Sequence, residues 1–378
     1  MSDVVVKGWC PGAHRPMMSG DGLIVRVRPF RSELNSSQAA ELCRLAQEFG
    51  NGLIDLTSRA NLQIRGVSEE TYPALIKGLE SIGVLDKTEK AERHRNILMP
   101  HDWQHGDLTQ KLHDALIEEL PNFPDLPGKV GFALDTGEQL ELQNGSADFR
   151  IERVQEGLIV RADGSNRGRL VGADVNAALT ALKELTRWFF DSDGNDSGRM
   201  VRHLNSTPLP DAWQTTVSEI GSDGPKIGAT PMGQVIGVPF GRIVASDLLA
   251  MLRESGAERL RFLTKRRIVV LGGSRVSDGP FVVKPNSPLM SVHACPGAPA
   301  CPQATVATLD LARRLAGQTN DGLHVSGCSK GCAHNKAAPL TLIGRAGSFD
   351  LVRNGATWDT PEARGLKAQD IISLIETT

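Results

Sequence analysis

The sequence has few aromatic residues, almost no excess of either charge and no long apolar segment. Phe, Trp and Tyr make up 4% of the 378 residues, and the formal net charge is -2. Nucleic-acid-binding proteins more often carry a strongly basic patch, so this balance argues against such a partner. No apolar run of about 18 residues occurs, and Met1 to Cys10 lacks the residue order of a signal peptide. We therefore expect a cytoplasmic protein without nucleic-acid or membrane partners.

Cysteine is also scarce, yet four of the six cysteines lie within one 38-residue window. Because disulfides are rare in the cytoplasm, we expect metal ligands, catalytic thiols or core residues. Cys295 and Cys301 form a Cys-x5-Cys pair, and Cys328 and Cys332 form a Cys-x3-Cys pair. Four thiolates are the ligands that a 4Fe-4S cluster needs. Zinc is the alternative, but zinc sites favour tighter pairs, so the spacing predicts the cluster.

The other two cysteines have local contexts that point elsewhere. Cys43 lies on the apolar stripe of a predicted helix, so we expect it to be buried. Cys10 lies in an arm rich in Pro, Gly and Met, Val4 to Gly20, and is expected to be structural. A further helix is predicted at residues 304–316, directly after Cys301, with its positive N-terminus facing the cluster.

The first 88 residues predict a ferredoxin-like α+β unit. A helix that Ser36 or Ser37 would cap follows the strand at residues 23–28. Strands at 53–57 and 61–67 and a helix at 71–82 complete the unit. A similar order returns at residues 234–271, and Leu56-Thr-Ser-Arg59 matches Leu263-Thr-Lys-Arg266 in place. We interpret this as an internal duplication; the alternative is two unrelated β-α-β units that share a turn dipeptide.

Together, these residues resemble the nitrite and sulfite reductase family. Its cluster signature is similar to the cysteine pattern, and its Thr-x-Arg-x-x-x-Gln and Arg-Asn-[IV] motifs resemble residues 57–63 and 95–97. The resemblance covers nearly the whole chain. It implies an α+β fold of duplicated ferredoxin-like half-domains plus two mixed α/β cofactor-binding halves. The implied units are residues 1–88 (arm and first half-domain), 89–225 (first sirohaem-type half), 226–285 (second half-domain) and 286–378 (iron–sulfur half).

Within that family, several stretches are more similar to tetrapyrrole monooxygenases of aerobic cobalamin biosynthesis. They are residues 20–28, 50–57, 61–66, 326–334 and 340–344. This resemblance implies oxygen-dependent hydroxylation of precorrin-3A at the carbon later lost on ring contraction, with a γ-lactone formed from a ring acetate. The partners would be the tetrapyrrole, dioxygen and a separate electron-donor protein. NAD(P)H would act indirectly, because no Gly-x-Gly-x-x-Gly follows a strand.

One departure from the reductases separates two functions. Reductases carry a Lys-x-Lys pair, whereas the matching stretch is Pro127-Gly-Lys-Val-Gly131, with Lys129 alone. A small dianion needs concentrated positive charge in a water-poor pocket, so a missing cation weakens the reductase interpretation. Gly131 would also make room for a bulkier substrate. A sirohaem-dependent sulfite or nitrite reductase stays the alternative, and a non-enzymatic iron–sulfur or zinc protein is a third hypothesis.

The resemblance and the chemistry of the substrate together suggest site residues. The four cysteines would hold the cluster, and Cys332 would bridge it to sirohaem if sirohaem is bound. Arg forks bind the acetates and propionates of precorrins well. The predicted tetrapyrrole-binding residues are Arg26, Arg28, Arg59, Arg65, Arg95 and Lys129, with Arg266 a weaker candidate. Dioxygen chemistry needs a metal or flavin, and His293, His324 and His334 are candidate ligands of a mononuclear nonhaem iron.

Overall fold

The computed structural model of the chain describes residues 9–319 and 322–376, so residues 4–8 of the predicted arm lie outside the described residues. The described residues form 21 strands, which assemble into four sheets, and 11 α-helices. None of these helices combines the length and the apolar character that a membrane crossing requires.

The first ferredoxin-like half-domain contains the predicted elements. They are β1 (Met17–Ser19), β2 (Gly22–Val27), β3 (Glu33–Asn35), α1 (Ser36–Phe49), β4 (Leu53–Leu56), β5 (Leu62–Val67) and α2 (Tyr72–Ser81). The predicted cap of α1 is wrong by one residue, because Asn35 and Gln38 form a reciprocal capping box. The Asn35 side chain accepts from the Gln38 backbone at 2.8 Å, and the Gln38 side chain accepts from the Asn35 backbone at 3.1 Å. Cys43 is fully buried in α1, as predicted.

The first α/β half and the second half-domain follow in the chain. The α/β half contains α3 (Glu89–His94), β6 (Ile97–Leu98), α4 (Leu108–Glu119), β7 (Phe132–Asp135), β8 (Phe149–Val154), β9 (Gly157–Ala162), β10 (Arg167–Gly172), α5 (Val175–Asp191), α6 (Gly194–Ser197), α7 (Met200–His203) and β11 (Thr216–Val217). The half-domain contains β12 (Gly228–Thr230), β13 (Gly233–Gly237), β14 (Arg242–Val244), α8 (Ala245–Ser255), β15 (Arg259–Leu263) and β16 (Arg267–Leu271).

The cysteine-bearing half ends the chain. It contains α9 (Pro288–Ser291), β17 (Val292–Ala294), α10 (Leu309–Leu315), β18 (Leu323–Ser326), β19 (Ala338–Arg345), β20 (Ser348–Gly355), β21 (Ala363–Leu366) and α11 (Ala368–Glu376). The predicted start of the helix after Cys301 is wrong, because α10 begins at Leu309. The backbone N–H of Ala304 donates to Cys301 O and that of Thr305 donates to Gly327 O, so both residues brace the cysteine loops instead.

The half-domains repeat at a constant offset. β3 and β14 begin at Glu33 and Arg242, which are 209 residues apart, and α1 and α8 keep the same offset. In the turns before β3 and β14, Arg31 and Phe240 both have a positive φ, of 54° and 57°. The predicted duplication is confirmed. The dipeptides Pro29-Phe30 and Pro239-Phe240 are one residue further apart than the strands and helices that follow them.

The half-domains also exchange an edge strand. β3 pairs with β15 of the second sheet, and β14 pairs with β4 of the first. Each exchanged strand forms an ion pair with its new neighbour. Arg242 of β14 binds Asp55 of β4 at 2.9 Å, and Glu33 of β3 binds Arg261 of β15 at 2.7 Å. The exchanged strand carries the cation in the first case and the anion in the second. Helix α1 packs on α8, and buried side chains of both half-domains form one hydrophobic core. The exchanged strands thus join the half-domains, and the predicted boundaries at residues 88, 225 and 285 stay predictions.

A second duplication, not predicted from the sequence, relates the two α/β halves. The parallel strands β6, β7 and β8 correspond to β17, β18 and β19, and antiparallel strands extend both sheets. Helices α4 and α10 connect the first two parallel strands of each half, and α5 and α11 follow the antiparallel strands. The loops after β6 and β7 are therefore the counterparts of the cysteine loops after β17 and β18. In α/β sheets, ligands bind at the carboxyl ends of parallel strands.

Candidate functional site

A cleft bounded by both half-domains and both α/β halves contains most of the predicted chemistry. We call it the central cleft; its volume of about 640 Å³ is typical of cofactor and small-molecule sites. Both Thr57 and Thr264 of the duplicated Leu-Thr motif line it. Five cations and two carboxylates also line it: Arg26, Arg65, Arg242, Lys265, Arg266, Asp55 and Glu141. The excess of positive charge suits an anionic ligand.

The four clustered cysteines converge at one wall of the central cleft. Cys295 and Cys332 line the cleft; Cys295 is buried, and Cys332 is exposed. Burial raises the pKa of both thiols, and the neighbouring thiols of Cys301 and Cys328 raise it further. The backbone N–H of Gly327, the residue before Cys328, lies 3.1 Å from Cys295 Sγ, so the loops that carry the two cysteine pairs meet at this wall.

Glycines let the backbone approach these sulfur atoms closely. The backbone N–H groups of Gly327, at 3.1 Å, and of Gly297 donate to Cys295 Sγ and oppose the rise of its pKa. A Cβ at Gly297, whose φ is +67°, would lie 2.6 Å from Thr308 Oγ1, and one at Gly327 would lie 2.6 Å from Ala304 Cβ. Four thiols, with N–H groups directed at sulfur, are the donors that an iron–sulfur cluster uses. The type of donor therefore fits a 4Fe-4S cluster, whereas no three of these thiols among the described residues are close enough to hold a single metal ion.

The three candidate histidines also come together beside this wall. The rings of His293 and His334 stack with centroids 4.4 Å apart, and His324 meets His334 edge-on at 5.7 Å. Burial lowers the pKa of His293 to about 3 and that of His324 to about 4. Stacked rings direct their nitrogen lone pairs along parallel planes rather than toward one point. Within residues 9–319 and 322–376, no three His, Cys, Asp or Glu side chains are placed to hold a single metal ion. This arrangement does not support the predicted mononuclear iron.

The loop that carries Cys301 is fastened to the first half-domain through the Ala300 carbonyl. That oxygen accepts hydrogen bonds from Ser19 Oγ at 2.8 Å, Arg65 Nη2 at 2.9 Å and Gly20 N at 3.2 Å. A Cβ at Gly20 would overlap the carbonyl oxygen of residue 299, so glycine permits this close approach. The hairpin of β1 and β2 thereby holds a predicted cluster ligand in place.

Arg65 lines the central cleft, but its guanidinium is engaged within the protein. Its side chain is 4% exposed, and it donates to Asp21 at 2.6 and 2.9 Å and to Asp55 at 3.3 Å. Asp55 also binds Arg242 of the exchanged strand. Arg65 is thus placed to position the Cys301 loop, and its contact with a tetrapyrrole stays a prediction.

Arg26 and Cys10 meet at the border of a second cleft. We call this second space the N-terminal cleft; Cys10, Arg28 and Lys129 line it, and its volume is about 650 Å³. Arg26 lies beside the Cys10 thiol, and the Gln63 amide, with its oxygen turned toward Arg26, accepts from Nη2 at 2.9 Å. Burial lowers the pKa of Arg26. Cys10 is predicted to be structural, with contact to the site as the alternative, and it lies beside a predicted substrate-binding arginine.

Arg28 and Lys129 line the N-terminal cleft instead of the central cleft. Arg28 is 5% exposed and lies 3.7 Å from Glu92, and burial lowers its pKa to about 10. Its Nε has no hydrogen-bond partner among the described residues. Lys129 is exposed. These two predicted cations therefore serve a neighbouring space.

The arginines of the duplicated motif connect each half-domain to an α/β half. Arg59 donates to Lys129 O at 2.6 Å and to Ser146 Oγ at 3.0 and 3.2 Å, which places it between the two clefts. Arg266 donates to Val292 O at 2.7 Å and to the carbonyl of residue 290 at 2.5 Å. Burial lowers the pKa of both guanidinium groups to about 10, and Arg199 contributes at Arg59. Each arginine of the duplicated motif thus bonds an α/β half, although the two contacts lie at different positions of the halves.

Arg95 and Gly131 were predicted to serve the substrate, but both contact other parts of the protein. Arg95 donates to Asp86 at 2.7 and 2.8 Å and to Arg28 O at 2.7 Å, and it lines neither cleft. Gly131 was expected to make room for substrate. A Cβ there would instead lie 3.1 Å from Asn96 O, so the glycine permits close packing of backbone.

The sequence reasoning missed Arg242 and Lys265 in the lining of the central cleft. Lys265 lies in the duplicated motif, so its position beside Arg266 was an available signal. Arg242 enters the first sheet only through the strand exchange, which no local pattern reveals.

Comparisons with known proteins agree with this architecture. Residues 15–82 match the nitrite/sulfite reductase ferredoxin-like half domain. The chain is 28% identical over 400 residues to a precorrin-3B synthase from Sinorhizobium sp, covering 94% of this chain and 85% of that protein. It is 23% identical over 410 residues to a ferredoxin–nitrite reductase from Leptolyngbya laminosa, covering 89% and 79%.

A solved structure extends the likeness to the fold. The Mycobacterium tuberculosis NirA protein superposes with a TM-score of 0.57 at 18% identity, covering 94% of this chain and 79% of that one. The predicted fold class and the predicted resemblance are therefore confirmed.

Proposed function

We propose that this chain is an oxygen-dependent tetrapyrrole monooxygenase of the precorrin-3B synthase kind, acting in aerobic cobalamin biosynthesis. It converts precorrin-3A to precorrin-3B by hydroxylation and γ-lactone formation. The observation that carries the proposal is the central cleft, where a cation-rich lining faces a wall that contains Cys295 and Cys332. The likeness to a precorrin-3B synthase supports this substrate.

In this proposal, Cys295, Cys301, Cys328 and Cys332 hold a 4Fe-4S cluster. When bound, the cluster supplies single electrons to the central cleft. Cys332, the exposed cysteine, is the ligand nearest the substrate space, because its side chain lines the cleft without being buried.

The cations of the central cleft bind the acetate and propionate groups of the tetrapyrrole. Arg26, Lys265 and Arg266 line the cleft, and guanidinium groups suit carboxylates because they bind in a forked geometry. Arg59 lies behind this lining and steadies it through Ser146. Arg28 and Lys129 receive substituents that extend into the N-terminal cleft.

The reaction needs electrons from outside the chain. One atom of dioxygen enters the substrate, and the other leaves as water after uptake of two electrons and two protons. A separate donor protein delivers the electrons, with NAD(P)H as the indirect source, and the expected compartment is the cytoplasm.

The test is turnover by anaerobically purified protein. We expect iron and inorganic sulfide in equal amounts, a reduced-cluster paramagnetic resonance signal and a broad brown absorbance. With precorrin-3A, a reduced donor and isotopically heavy dioxygen, one heavy oxygen atom should enter the product. Zinc in place of iron and sulfide would refute the cluster assignment.

A sirohaem-dependent nitrite or sulfite reductase is the second candidate, because the same cysteine wall suits it and nitrite reductases are among the relatives. Sirohaem would give strong Soret and red absorbance bands. Those bands, together with nitrite- or sulfite-dependent electron uptake and no oxygen incorporation, would replace our first proposal with this one.

A further inference from the structure

Glu141 lies in the wall between the central cleft and a third cleft. We call this third space the lateral cleft; it is lined by His101, Glu138 and Arg153 among others and has a volume of about 880 Å³. Among the described residues, Glu141 is the one that lines both spaces. Its side chain is 7% exposed, so the carboxylate is almost enclosed by protein.

His101 connects this carboxylate to the lateral cleft. Its Nδ1 lies 2.7 Å from Glu141 Oε2, and its backbone N–H donates to Oε1. The imidazole is 24% exposed and lines the lateral cleft. Glu141 therefore lines the central cleft, and the imidazole bonded to its carboxylate lines the lateral cleft.

The charged groups around the pair come from several elements. The Asp135 carboxylate accepts the Glu141 backbone N–H at 3.0 Å, and Glu152 lies beyond Asp135. Burial lowers the pKa of Arg267 of β16, and the nearby carboxylates of Glu141 and Asp223 oppose that fall. Arg261 donates to the backbone oxygen of His101. The charged groups around the pair thus include two arginines and two buried acids.

The internal duplication gives this position a counterpart. His101 and Glu141 lie in the loops after β6 and β7, and the four cysteines lie in the loops after β17 and β18. In the first α/β half, the loop after β7 reaches the central cleft through Glu141, and the loop after β6 lines the lateral cleft through His101. The corresponding loops of the second α/β half carry the thiols, whereas those of the first carry an acid–base pair.

We propose that His101 and Glu141 form a proton path from the lateral cleft to the reaction in the central cleft. This proton path rests on the proposed function. In that reaction, a substrate C–H group, dioxygen, two electrons and two protons give C–OH and water. A proton taken up at His101 Nε2 lets Nδ1 pass its proton to Glu141 Oε2, which releases it into the central cleft. Exchange of ring protons with water in the lateral cleft restores the imidazole.

The first test is Glu141→Gln, which keeps the shape but cannot carry a proton. Losing a positioned acid–base group typically lowers turnover by about 10²- to 10⁴-fold. We expect a fall of that order, a changed pH profile and a larger solvent deuterium isotope effect. The cluster signal and the affinity for precorrin-3A should not change. Glu138→Gln is the matched control, because Glu138 is exposed and lines the lateral cleft alone.

A second variant separates proton transfer from structural support. His101→Ala should lose turnover similarly, and added imidazole should restore part of it. Independently of turnover, infrared difference spectra recorded across pH should contain a carboxyl signal that Glu141→Gln removes. Wild-type rate and isotope effect in both variants would overturn the path while the proposed function stood. If the wild type reduces nitrite instead, the proposed function fails; the same variants then test the path in that proton-consuming reaction, with the same losses expected.

Discussion

Replacing Arg65 tests whether the first half-domain positions the cluster. Arg65→Ala removes the hydrogen bond to Ala300 O and both bonds to Asp21. Asp55 keeps Arg242 as a partner, so Asp21 is the carboxylate left without its main cation. Removing one partner of a buried ion pair costs about 3–5 kcal/mol. A loss of that size is a large fraction of the usual total stability of about 5–15 kcal/mol.

The expected consequence extends beyond stability to the metal content. Without Arg65, the Ala300 carbonyl keeps only Ser19 and Gly20 as donors, and the adjacent Cys301 becomes less constrained. We expect less iron per chain and faster loss of the cluster in air. Arg65→Lys should be intermediate, because an ammonium keeps the charge but not the fork.

Urea unfolding of the anaerobic holoprotein, iron and sulfide analysis and tetrapyrrole titration together measure this prediction. The matched control is Arg353→Ala, which removes an exposed ion pair 3.4 Å from Glu362 and should cost at most about 1 kcal/mol. The reasoning fails if Arg65→Ala keeps full stability and a complete cluster but binds precorrin-3A about tenfold more weakly. That result would make Arg65 a substrate ligand, as first predicted from the sequence.

Four further changes test other parts of the structure. Gly20→Ala should reduce cluster content as Arg65→Ala does, because its Cβ overlaps the neighbouring loop; unchanged iron content would contradict this. Cys328→Ser should bleach the visible absorbance and abolish turnover, and a retained cluster would remove Cys328 from the ligand set. Arg59→Ala should keep the cluster but weaken tetrapyrrole binding, and normal affinity in an equilibrium titration would show that assignment to be wrong. Burial raises the pKa of Asp135 to about 7 in the folded protein, against about 3.9 in the unfolded chain. Protonated Asp135 therefore contributes to the unfolding free energy below about pH 4, and this contribution is lost as the pH rises through about 7. Between about pH 4 and pH 7, the unfolding free energy of the wild type should fall by about 4 kcal/mol more than that of Asp135→Asn. Urea unfolding at several pH values measures this, and the same pH dependence in both proteins would contradict the assignment.

Local patterns determined much of the half-domains. Apolar alternation in β2 and the stripe of α1 specify their buried faces without reference to the rest of the chain. Cysteine spacing likewise predicted the cluster ligands, because a four-thiolate site needs cysteines in loops, and proline and glycine beside these cysteines favour loops. The cap of α1 and the start of the helix after Cys301 were misplaced. The helix after Cys301 starts late because the backbone of Ala304 and Thr305 is bonded to the cysteine loops.

The cationic residues depended most on the tertiary structure. A sequence shows that an arginine can bind a carboxylate, but it does not show which carboxylate lies nearest. Arg95 binds Asp86 and Arg65 binds Asp21, whereas Arg26 reaches the central cleft. The strand exchange that adds Arg242 depends on contacts between distant segments. So does the second duplication, in which the loops of His101 and Glu141 correspond to the cysteine loops. The sequence by itself thus determined most helices and strands of the half-domains, and it predicted the cluster. The tertiary structure decided which charges remain available to a ligand, because pairing in space consumes donors that are indistinguishable in the chain.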